Sequence, residues 1–305
     1  IDYAGRDSNK NNRLRVPTMK LVIITGLSGS GKSIALTTLE DLGYYCIDNL
    51  PLFLLATFID SLVERRDPRF EQTAVGIDAR SQATDLSEVS QLLERLRQQQ
   101  IQYDIVYLDA QDDTLIKRYS ETRRRHPLSD EDHPLAEAIQ LERKLLEPFA
   151  SNLDLHIDTT HTTLHQRRET IRQRVGARSA SEISLLIESF GFKHGVPRDT
   201  DFVYDVRCLP NPHWEIDLRP LTGLDPQVAA FLESCEETDL LRNDLIHFLE
   251  RWIPRFEADG RSYLTVAIGC TGGWHRSVVM VEELASWLRS RHFGPVAVFH
   301  RELER

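Results

Sequence analysis

The chain has 305 residues, of which 41% are hydrophobic and 28% are charged. This is an ordinary composition for a folded protein, and at this length we expect two domains. No run of about 18 apolar residues is present, which argues against a membrane-spanning helix. The formal net charge is −10. Because proteins that neutralise nucleic-acid phosphates usually carry a basic face, this acidity disfavours, without excluding, a nucleic-acid-binding class.

The cysteines and the first residues indicate the compartment. The four cysteines are far apart and form no CxxC pair, namely Cys46, Cys208, Cys235 and Cys270. Their spacing argues against a zinc site or a disulfide framework and favours the reducing cytoplasm. Residues 1–18 are polar and aperiodic, and no apolar signal segment precedes the first strand-like run. We therefore interpret residues 1–18 as an extension or leader without stable structure.

Strand-like and helix-like segments alternate along the first half of the chain. Strands are predicted at residues 20–25, 44–47, 73–77, 104–108 and 155–157. Helices are predicted after the first glycine-rich turn as far as Gly43, and at residues 51–65, 86–99, 114–122 and 134–149. Because parallel strands need crossover connections, this alternation predicts a parallel sheet with helices on both faces. We expect a P-loop kinase-like α/β domain over about residues 19–172.

A small, polar segment at residues 173–182 is the predicted linker to a second, smaller α/β domain over residues 182–305. Strands are predicted there at residues 183–192, 201–207, 263–269 and 295–301, with helices at residues 226–234, 238–252 and 276–291.

A glycine-rich motif of the form GxxxxGK[ST] follows the first strand. It consists of Gly26, Leu27, Ser28, Gly29, Ser30, Gly31, Lys32 and Ser33. Such a turn lets main-chain N–H groups surround phosphate oxygens, and the helix that follows presents its N-terminus to the negative charge. Lys32 is expected to reach the β- and γ-phosphates, and the Ser33 hydroxyl to bind Mg²⁺. The motif predicts a nucleoside triphosphate, ATP or GTP, bound with Mg²⁺.

Aspartates end three of the predicted strands, at the sheet edge where ligands bind in open α/β folds. Asp109 ends an apolar strand as a Walker B carboxylate does, and we assign it a catalytic role in holding Mg²⁺. Asp48 and Asp78 occupy similar positions. Aspartate is also common at strand ends as a helix cap or turn former, which remains the alternative for all three residues.

The run KRYSETRRRHP contains Arg118, Arg123, Arg124 and Arg125. A mobile arginine segment could cover the triphosphate and stabilise charge during phosphoryl transfer. The alternative is a solvated helix end with cations in its last turn.

A second glycine turn joins a strand to a helix near the C-terminus. Its residues are Gly269, Cys270, Thr271, Gly272, Gly273, Trp274, His275, Arg276 and Ser277. By the same physics this turn is a second anion cradle. It also fits CxxGxxR[ST], in which a cysteine thiolate attacks phosphorus. Gly269 stands where that motif has histidine, and no general acid is identifiable, so a phosphate-binding pocket is favoured over a phosphatase or a structural turn.

Further polar groups are expected near the second turn. Asp205 and Arg207 alternate with apolar residues along one strand, and His213 lies in a rigid polar loop. Lys193 and His194 end the run SFGFKHG. Each is unremarkable alone, but several polar groups beside an anion loop favour a binding site.

Together these segments resemble the RapZ (YvcJ-type) family of bacterial P-loop nucleotide-binding proteins. The shared stretches, between about residues 19 and 300, are GLSGSGKS, CIDNLP, RYSETRRRHPL, ESFGFKHGVP, DVRCLPNPHW, LRPLTGLD and AIGCTGGWHRSV. The resemblance implies ATP binding at residues 26–33 and weak ATPase and GTPase activity. It places a GTP-associated segment on Asp78, Ala79, Arg80 and Ser81.

The resemblance also implies a role for the second domain. Enterobacterial members act as RNase adapters that present small regulatory RNA to an endoribonuclease, and their second domain senses glucosamine-6-phosphate and drives oligomerisation. By matching positions, the amino-sugar phosphate pocket would consist of Asp205, His213, Cys270, Thr271, Gly272, Gly273, His275 and Arg276. Arg276 and the loop amides suit a phosphate, and Asp205 suits an ammonium group.

Two departures from the family pattern bear on RNA. Trp274 stands where a basic residue is expected in the second turn, and the C-terminal FHRELER mixes charges where RNA-binding relatives carry a lysine-rich tail. Both departures predict weaker sequence-independent RNA binding.

The leading hypothesis is a regulatory nucleotide-binding homo-oligomer that senses a phosphorylated amino sugar. The alternatives are a small-molecule kinase acting on the sugar phosphate and a cysteine phosphatase using Cys270.

Overall fold

A computed structural model describes residues 19–65, 67–77, 86–122, 125–129, 133–176 and 182–303. Its strands form two sheets, each entirely parallel. The interpretation of residues 1–18 falls outside the described part of the chain. Within that part, no helix combines the length and hydropathy needed to span a bilayer.

The first sheet has five strands in the order β2-β3-β1-β4-β5. The strands are β1 (Lys20–Gly26), β2 (Tyr45–Ile47), β3 (Gln72–Gly76), β4 (Gln102–Asp109) and β5 (Leu155–Asp158). The helices of this half are α1 (Lys32–Asp41), α2 (Leu52–Arg65), α3 (Leu86–Gln98), α4 (Asp112–Thr122), α5 (Leu135–Leu145), α6 (Glu147–Ala150) and α7 (Leu164–Ile171).

Strand β1 shows why helices cover both faces of the first sheet. Its side chains alternate in direction, so Leu21 and Ile23 belong to one apolar cluster while Val22 and Ile24 belong to another. The first cluster contains residues of α2, α3 and α5, and the second contains residues of α1 together with Ile171. A strand buried on both faces is a continuous apolar run, which is how β1 reads in the sequence.

The second sheet has four strands in the order β7-β8-β6-β9. The strands are β6 (Ser184–Gly191), β7 (Phe202–Asp205), β8 (Tyr263–Cys270) and β9 (Val296–His300), and the helices are α8 (Pro226–Glu233), α9 (Glu236–Ala258) and α10 (Arg276–Ser290). One face of this sheet packs on α9 and α10. The predicted fold class is therefore confirmed: a P-loop kinase-like parallel sheet is followed by a second, smaller α/β unit.

The other face of the second sheet packs against the first half of the chain. The Tyr263 hydroxyl donates a hydrogen bond to Asp104 at 3.2 Å, and the Tyr263 ring joins the apolar cluster that contains β1. Arg174 is buried between the halves, where it donates to the carbonyl oxygens of Ser184 and Leu264.

The predicted linker begins inside a helical segment. Residues 173–176 belong to a π-helical turn, Arg172–Gly176, that continues α7. A polar sequence there does not signal exposure, because Arg174 is buried by its contacts with the second sheet. Residues 177–181 lie outside the described part of the chain.

Candidate functional site

The first glycine turn connects β1 to the N-terminus of α1. Gly26 and Gly31 both have positive φ angles, of 128° and 115°. A Cβ atom on Gly26 would lie 2.0 Å from the carbonyl oxygen of Leu108, so only glycine fits there. Helix α1 begins without a side-chain cap and without an acidic residue in its first turn. Its N-terminus therefore keeps the partial positive charge that attracts a phosphate.

Lys32 and Ser33 stand in the first turn of α1, as the motif predicts. Lys32 Nζ donates a hydrogen bond to the carbonyl oxygen of Gly26 at 2.5 Å, which folds the side chain back over the turn. The ammonium group is therefore held beside the cradle where the phosphates are expected.

A buried carboxylate anchors this turn. Glu142, on α5, accepts hydrogen bonds from the Ser28 main-chain N–H at 2.8 Å and from the Ser28 hydroxyl at 2.6 Å. His126 Nε2 lies 3.1 Å from the same carboxylate. Burial alone would raise the pKa of Glu142, but His126, Lys32 and Ser28 together lower it, so the group is ionised at neutral pH. Glu142 was missed in the sequence because it is 114 positions from Ser28.

Two arginines flank the turn. Arg118 donates to the carbonyl oxygen of Gly29 at 3.0 Å and to that of Thr159 at 2.6 Å. The Arg167 side chain lies 3.5 Å from the place where a Cβ atom of Gly31 would be. Among the described residues, neither guanidinium forms an ion pair with a carboxylate. The sequence singled out Arg118, whereas nothing near Arg167 in the sequence marked it.

The two guanidinium groups are electrostatically unfavourable in this position. Burial, and then the positive charge of Arg167, lowers the pKa of Arg118 to about 10. Burial also lowers the pKa of Arg167, and its buried Nε has no hydrogen-bond partner in the described part of the chain. A polyanion bound in the turn would relieve this desolvation and repulsion.

Thr159 links the turn to the sheet edge. Its buried hydroxyl lies 2.9 Å from the carbonyl oxygens of both Ser30 and Asp109. Asp109 itself ends β4, as predicted, and its two carboxylate oxygens lie 3.0 and 3.1 Å from Arg143 Nη1. His156 Nε2 is 3.7 Å away.

These neighbours decide the charge of Asp109. Burial would raise its pKa, but His156 and Arg143 lower it overall. Asp109 is thus an ionised carboxylate that already has a cationic partner. A metal role for it remains a prediction, and that role requires the ion pair with Arg143 to open.

Of the other residues predicted at this edge of the sheet, the structure describes only Asp48. A Cβ atom on Gly76 would lie 2.8 Å from Asp48 Oδ1, which places Asp48 beside the end of β3. Asp78, Ala79, Arg80 and Ser81 lie outside the described residues, as do Arg123 and Arg124.

The second glycine turn connects β8 to α10. The Cys270 thiol is buried, accepts a hydrogen bond from the Gly273 N–H at 3.1 Å, and lies 3.1 Å from the Ser277 hydroxyl. Burial opposes ionisation of this thiol, but hydrogen bonds from Ser277, Gly273 and His275 lower its pKa below the usual value. The turn therefore stabilises negative charge, which is the property of an anion cradle.

Arg276 and His275 carry buried polar atoms that lack partners. Arg276 Nη1 donates to the carbonyl oxygens of Arg207 at 2.9 Å and Leu209 at 3.1 Å. Its Nε, and His275 Nε2, are buried without a hydrogen-bond partner among the described residues. Buried polar groups are normally satisfied, so these two atoms are available to form hydrogen bonds with a bound ligand.

A cavity of ≈ 370 Å³ opens over this turn. Its lining residues are Lys193, Asn211, His213, Arg219, Cys270, Thr271, Gly272, Trp274, His275 and Arg276. Seven predicted site residues are either in this lining or, for Gly273, in the turn itself. Asp205 is not in the lining, because it ends β7 in an ion pair with Arg207 at 2.6 Å.

Lys193 supplies a positive charge beside the turn, where Trp274 stands in place of the expected basic residue. A Cβ atom on Gly272 would lie 3.8 Å from Lys193 Nζ, so the ammonium group stands directly beside the loop. Arg219 adds a second cation and donates to His213 Nε2 at 3.1 Å. The cavity is therefore positively charged despite the tryptophan, which suits a phosphate.

The parallel sheet, the glycine turn and Lys32 define a P-loop nucleotide-binding protein. The chain matches the family model of the RapZ-like N-terminal domain over residues 19–179 and that of the RapZ C-terminal domain over residues 183–304. It belongs to the RapZ family.

Relatives across bacteria share nearly the whole chain. A nucleotide-binding protein of Methylococcus capsulatus is 59% identical over 286 residues, covering 93% of this chain and 96% of the relative. Another nucleotide-binding protein, from Nitrosococcus oceani, is 55% identical over 285 residues, covering 93% of this chain and 100% of the relative.

Solved kinase structures resemble about half of the chain. A gluconokinase from Sinorhizobium meliloti 1021 covers 50% of this chain and 90% of its own, with 17% identity and a TM-score of 0.33. A shikimate kinase from Bacteroides thetaiotaomicron covers 52% and 96%, with 16% identity and a TM-score of 0.35. These values say nothing about what the chain binds or transfers.

Proposed function

We propose that the first turn binds ATP or GTP together with Mg²⁺, with weak hydrolysis at most. The observation that supports this most strongly is the pair Arg118 and Arg167, whose partly buried guanidiniums flank a turn that already holds Lys32. Three cations around one uncapped helix N-terminus suit a triphosphate. The Ser33 hydroxyl would bind the metal, with Asp109 as the second proposed ligand.

Removing the Lys32 ammonium tests this assignment. Lys32→Ala should weaken nucleotide binding by roughly 100-fold, because a charge-assisted hydrogen bond contributes about 1.5–3 kcal/mol. Isothermal titration with Mg·ATP and Mg·GTP measures the loss. Lys117→Ala is the matched control, since Lys117 is exposed on α4. Equal affinities for the two variants would refute the assignment.

For the second turn we propose an amino-sugar phosphate ligand, such as glucosamine-6-phosphate. Its phosphate would be held by the loop amides, Lys193 and the unpartnered Nε of Arg276. Asp205 remains the proposed partner of the ammonium group, which requires it to exchange Arg207 for the ligand. The exposed position of this ion pair makes such an exchange inexpensive.

Lys193 offers a test that does not remove a buried group. Lys193→Ala should weaken glucosamine-6-phosphate binding by roughly tenfold and leave Mg·ATP binding unchanged, because Lys193 lines the cavity over the second turn. Titration of the same protein with both ligands separates the two sites. A variant that binds the sugar phosphate as tightly as wild type would contradict the proposal.

We further propose that the chain acts through partners, as a homo-oligomeric RNase adapter that presents small regulatory RNA to an endoribonuclease. The support is membership of the family, while the net charge of −10 argues for weak, strongly salt-dependent RNA binding. Filter binding of a structured RNA between low and physiological salt tests this. Absence of retention at low salt would remove the adapter role.

Two enzymatic alternatives have distinct outcomes. A sugar-phosphate kinase would couple each ATP consumed to a phosphorylated second product, whereas uncoupled slow hydrolysis contradicts it. A cysteine phosphatase would release phosphate through Cys270, and Cys270→Ser would abolish turnover. The burial of Cys270 and the use of Arg276 in bracing backbone carbonyls both favour ligand binding over phosphatase chemistry.

A further inference from the structure

A second cavity, of ≈ 380 Å³, lies between the two halves of the chain and apart from both glycine turns. Its floor is formed by β6 and β9, and its opposite wall by α7 and the residues before it. Its lining residues are Ile157, Asp158, His161, Thr162, His165, Gln166, Glu169, Thr170, Gln173, Arg174, Leu186, Glu188, Pro197, Asp199, Ala297, Val298, Phe299 and Arg301. Ligand sites commonly have this size and position at domain boundaries.

Glu188 is the unusual group in this lining. It lies in the middle of β6 and is only 5% exposed, and its Oε1 is buried with no hydrogen-bond partner in the described part of the chain. A buried carboxylate without a partner is unfavourable unless it is protonated or meets a cation. The fold therefore retains a feature that costs stability and that a suitable ligand would remove.

The charges around the cavity indicate the sign of that ligand. Four carboxylates line it (Asp158, Glu169, Glu188 and Asp199), against two guanidiniums. Arg174 uses its terminal nitrogens on Ser184, Leu264 and Thr265, and Arg301 Nη1 donates to the carbonyl oxygen of Gly195. The excess of carboxyl groups over guanidinium groups favours a cation, which would stabilise the ionised form of a carboxyl.

The apolar part of the lining indicates an organic cation. Leu186, Ala297 and Phe299 lie on the two strands beside Glu188, and Ile157 and Pro197 lie opposite. Among the described residues, no group of three or more histidine, cysteine, aspartate or glutamate side chains could hold a metal ion. A hydrocarbon body beside one charged head matches both observations.

We propose that this interdomain cavity binds a small organic ammonium ion, with Glu188 as its anionic partner and the apolar wall receiving its hydrocarbon part. Asp199, which also lines the cavity, accepts the Asp158 N–H at 2.9 Å and supplies a second carboxyl group. The ligand would thereby bridge residues of both halves of the chain.

The groups facing Glu188 shift its pKa, and ligand binding should therefore change the number of bound protons. Burial, and then Asp199, raises the pKa of Glu188 to about 8, with Asp158 acting in the same direction and Arg301 and Arg174 against it. His161, His165 and Glu169 also face the cavity. Because the carboxyl is mostly protonated at pH 7, binding an ammonium ion to its charged form must release a proton.

The test compares n-pentylammonium with 1-pentanol, which has the same length without the charge, on the full chain by isothermal titration at pH 7. Pentylammonium should bind saturably in the millimolar range, and pentanol roughly tenfold more weakly. Titration in two buffers of different ionisation enthalpy should show proton release. Failure of wild type to bind the amine, or equal binding of the alcohol, would overturn the proposal.

Glu188→Gln keeps the shape and removes the charge. It should weaken pentylammonium binding by roughly tenfold or more and abolish the proton release. Glu257→Gln, at an exposed position of α9, should change neither. A thermal melt confirms that each variant is folded. Folded Glu188→Gln that binds the amine as wild type does would place the amine elsewhere and overturn the proposal.

Discussion

At the scale of single residues, the nucleotide turn depends on a carboxylate that no local motif reveals. Glu142 binds Ser28 through both its main-chain N–H and its hydroxyl, and it is almost fully buried. Charge-assisted hydrogen bonds of this kind contribute more than neutral ones, and leaving one unmade is costly. The conformation of the turn is therefore set partly by α5.

Glu142→Gln should lower the stability of the first half of the chain by about 1–3 kcal/mol. Replacing the carboxylate with an amide turns one hydrogen-bond acceptor into a donor, and that donor then faces either Ser28 or His126. The midpoint of urea unfolding measures the loss, and Glu137→Gln, exposed on the same helix, should leave it unchanged. If the two variants unfold at the same urea concentration, Glu142 does not anchor the turn.

The pH dependence of this contribution has a definite sign. The folded-state pKa of Glu142 is lowered, so the unfolded chain binds more protons near pH 4. The stabilisation is present above the unfolded pKa of about 4.3 and is lost as the pH falls through the folded pKa. Glu142→Gln should therefore differ most from wild type at neutral pH and least in acid.

At the scale of elements, the sequence predicted the strands better than the helices. Each predicted strand of both sheets is present, since buried parallel strands are continuous apolar runs. Helix α7 was missed because it has no strong apolar face, although Thr163 and Gln166 form a capping box at its start. Helix α9 runs through Pro254 to Ala258, beyond its predicted end at residue 252.

The site was predictable mainly where its residues are consecutive. The two glycine turns could be found because the spacing of glycine, lysine and arginine directly reports the backbone that a phosphate needs. Arg167 and Glu142 could not, because long-range packing brings them to the turn. Lys193, by contrast, was expected near the second turn, which it approaches from just beyond the end of β6.

The close contact of Gly26 with β4 gives a prediction for which Gly43 is the control. Gly26→Ala should destabilise the protein by more than about 4 kcal/mol, because the added Cβ would lie 2.0 Å from the Leu108 carbonyl oxygen. Gly43→Ala also has a positive φ, of 90°, but meets nothing within 4 Å, so only backbone strain of about 1–2 kcal/mol remains. Thermal melts of both variants compare the losses. Equal losses would show that the contact with β4 is unimportant.

At the scale of the whole molecule, the two halves meet through polar side chains that the sequence could not assign to an interface. Arg174 and Glu188 are both buried there, although neither residue type is usually buried without partners. Arg174 falls in the segment predicted as a linker, and Glu188 falls in a predicted strand. Only the packing of the two halves shows that both residues lie at the interface. A buried, charged interface makes the stability of the assembled chain depend on pH.

Glu188 sets the sign of that dependence. Its folded pKa is raised to about 8, so between the unfolded pKa of about 4.3 and pH 8 the folded chain binds more protons and stability falls as pH rises. The slope from one such group is at most about 1.4 kcal/mol per pH unit. Glu188→Gln should match wild type at about pH 4 and below and be more stable at about pH 8.5.

Urea unfolding across this pH range makes the comparison. Asp199 shares the cavity and has a raised pKa for the same main reason, burial, so the variant's slope should become shallower without vanishing. Parallel curves for wild type and Glu188→Gln would show that Glu188 is not a buried, protonated carboxyl in the folded protein.

The central claim is that residues 26–33 hold the phosphates of a nucleoside triphosphate. The most direct measurement is a crystal structure grown with saturating Mg²⁺ and a non-hydrolysable ATP analogue. We predict phosphate oxygens within hydrogen-bond distance of Lys32 Nζ and of the main-chain N–H groups of the turn, with the metal on Ser33 Oγ. An empty turn at saturating nucleotide, or nucleotide bound elsewhere, would contradict the claim.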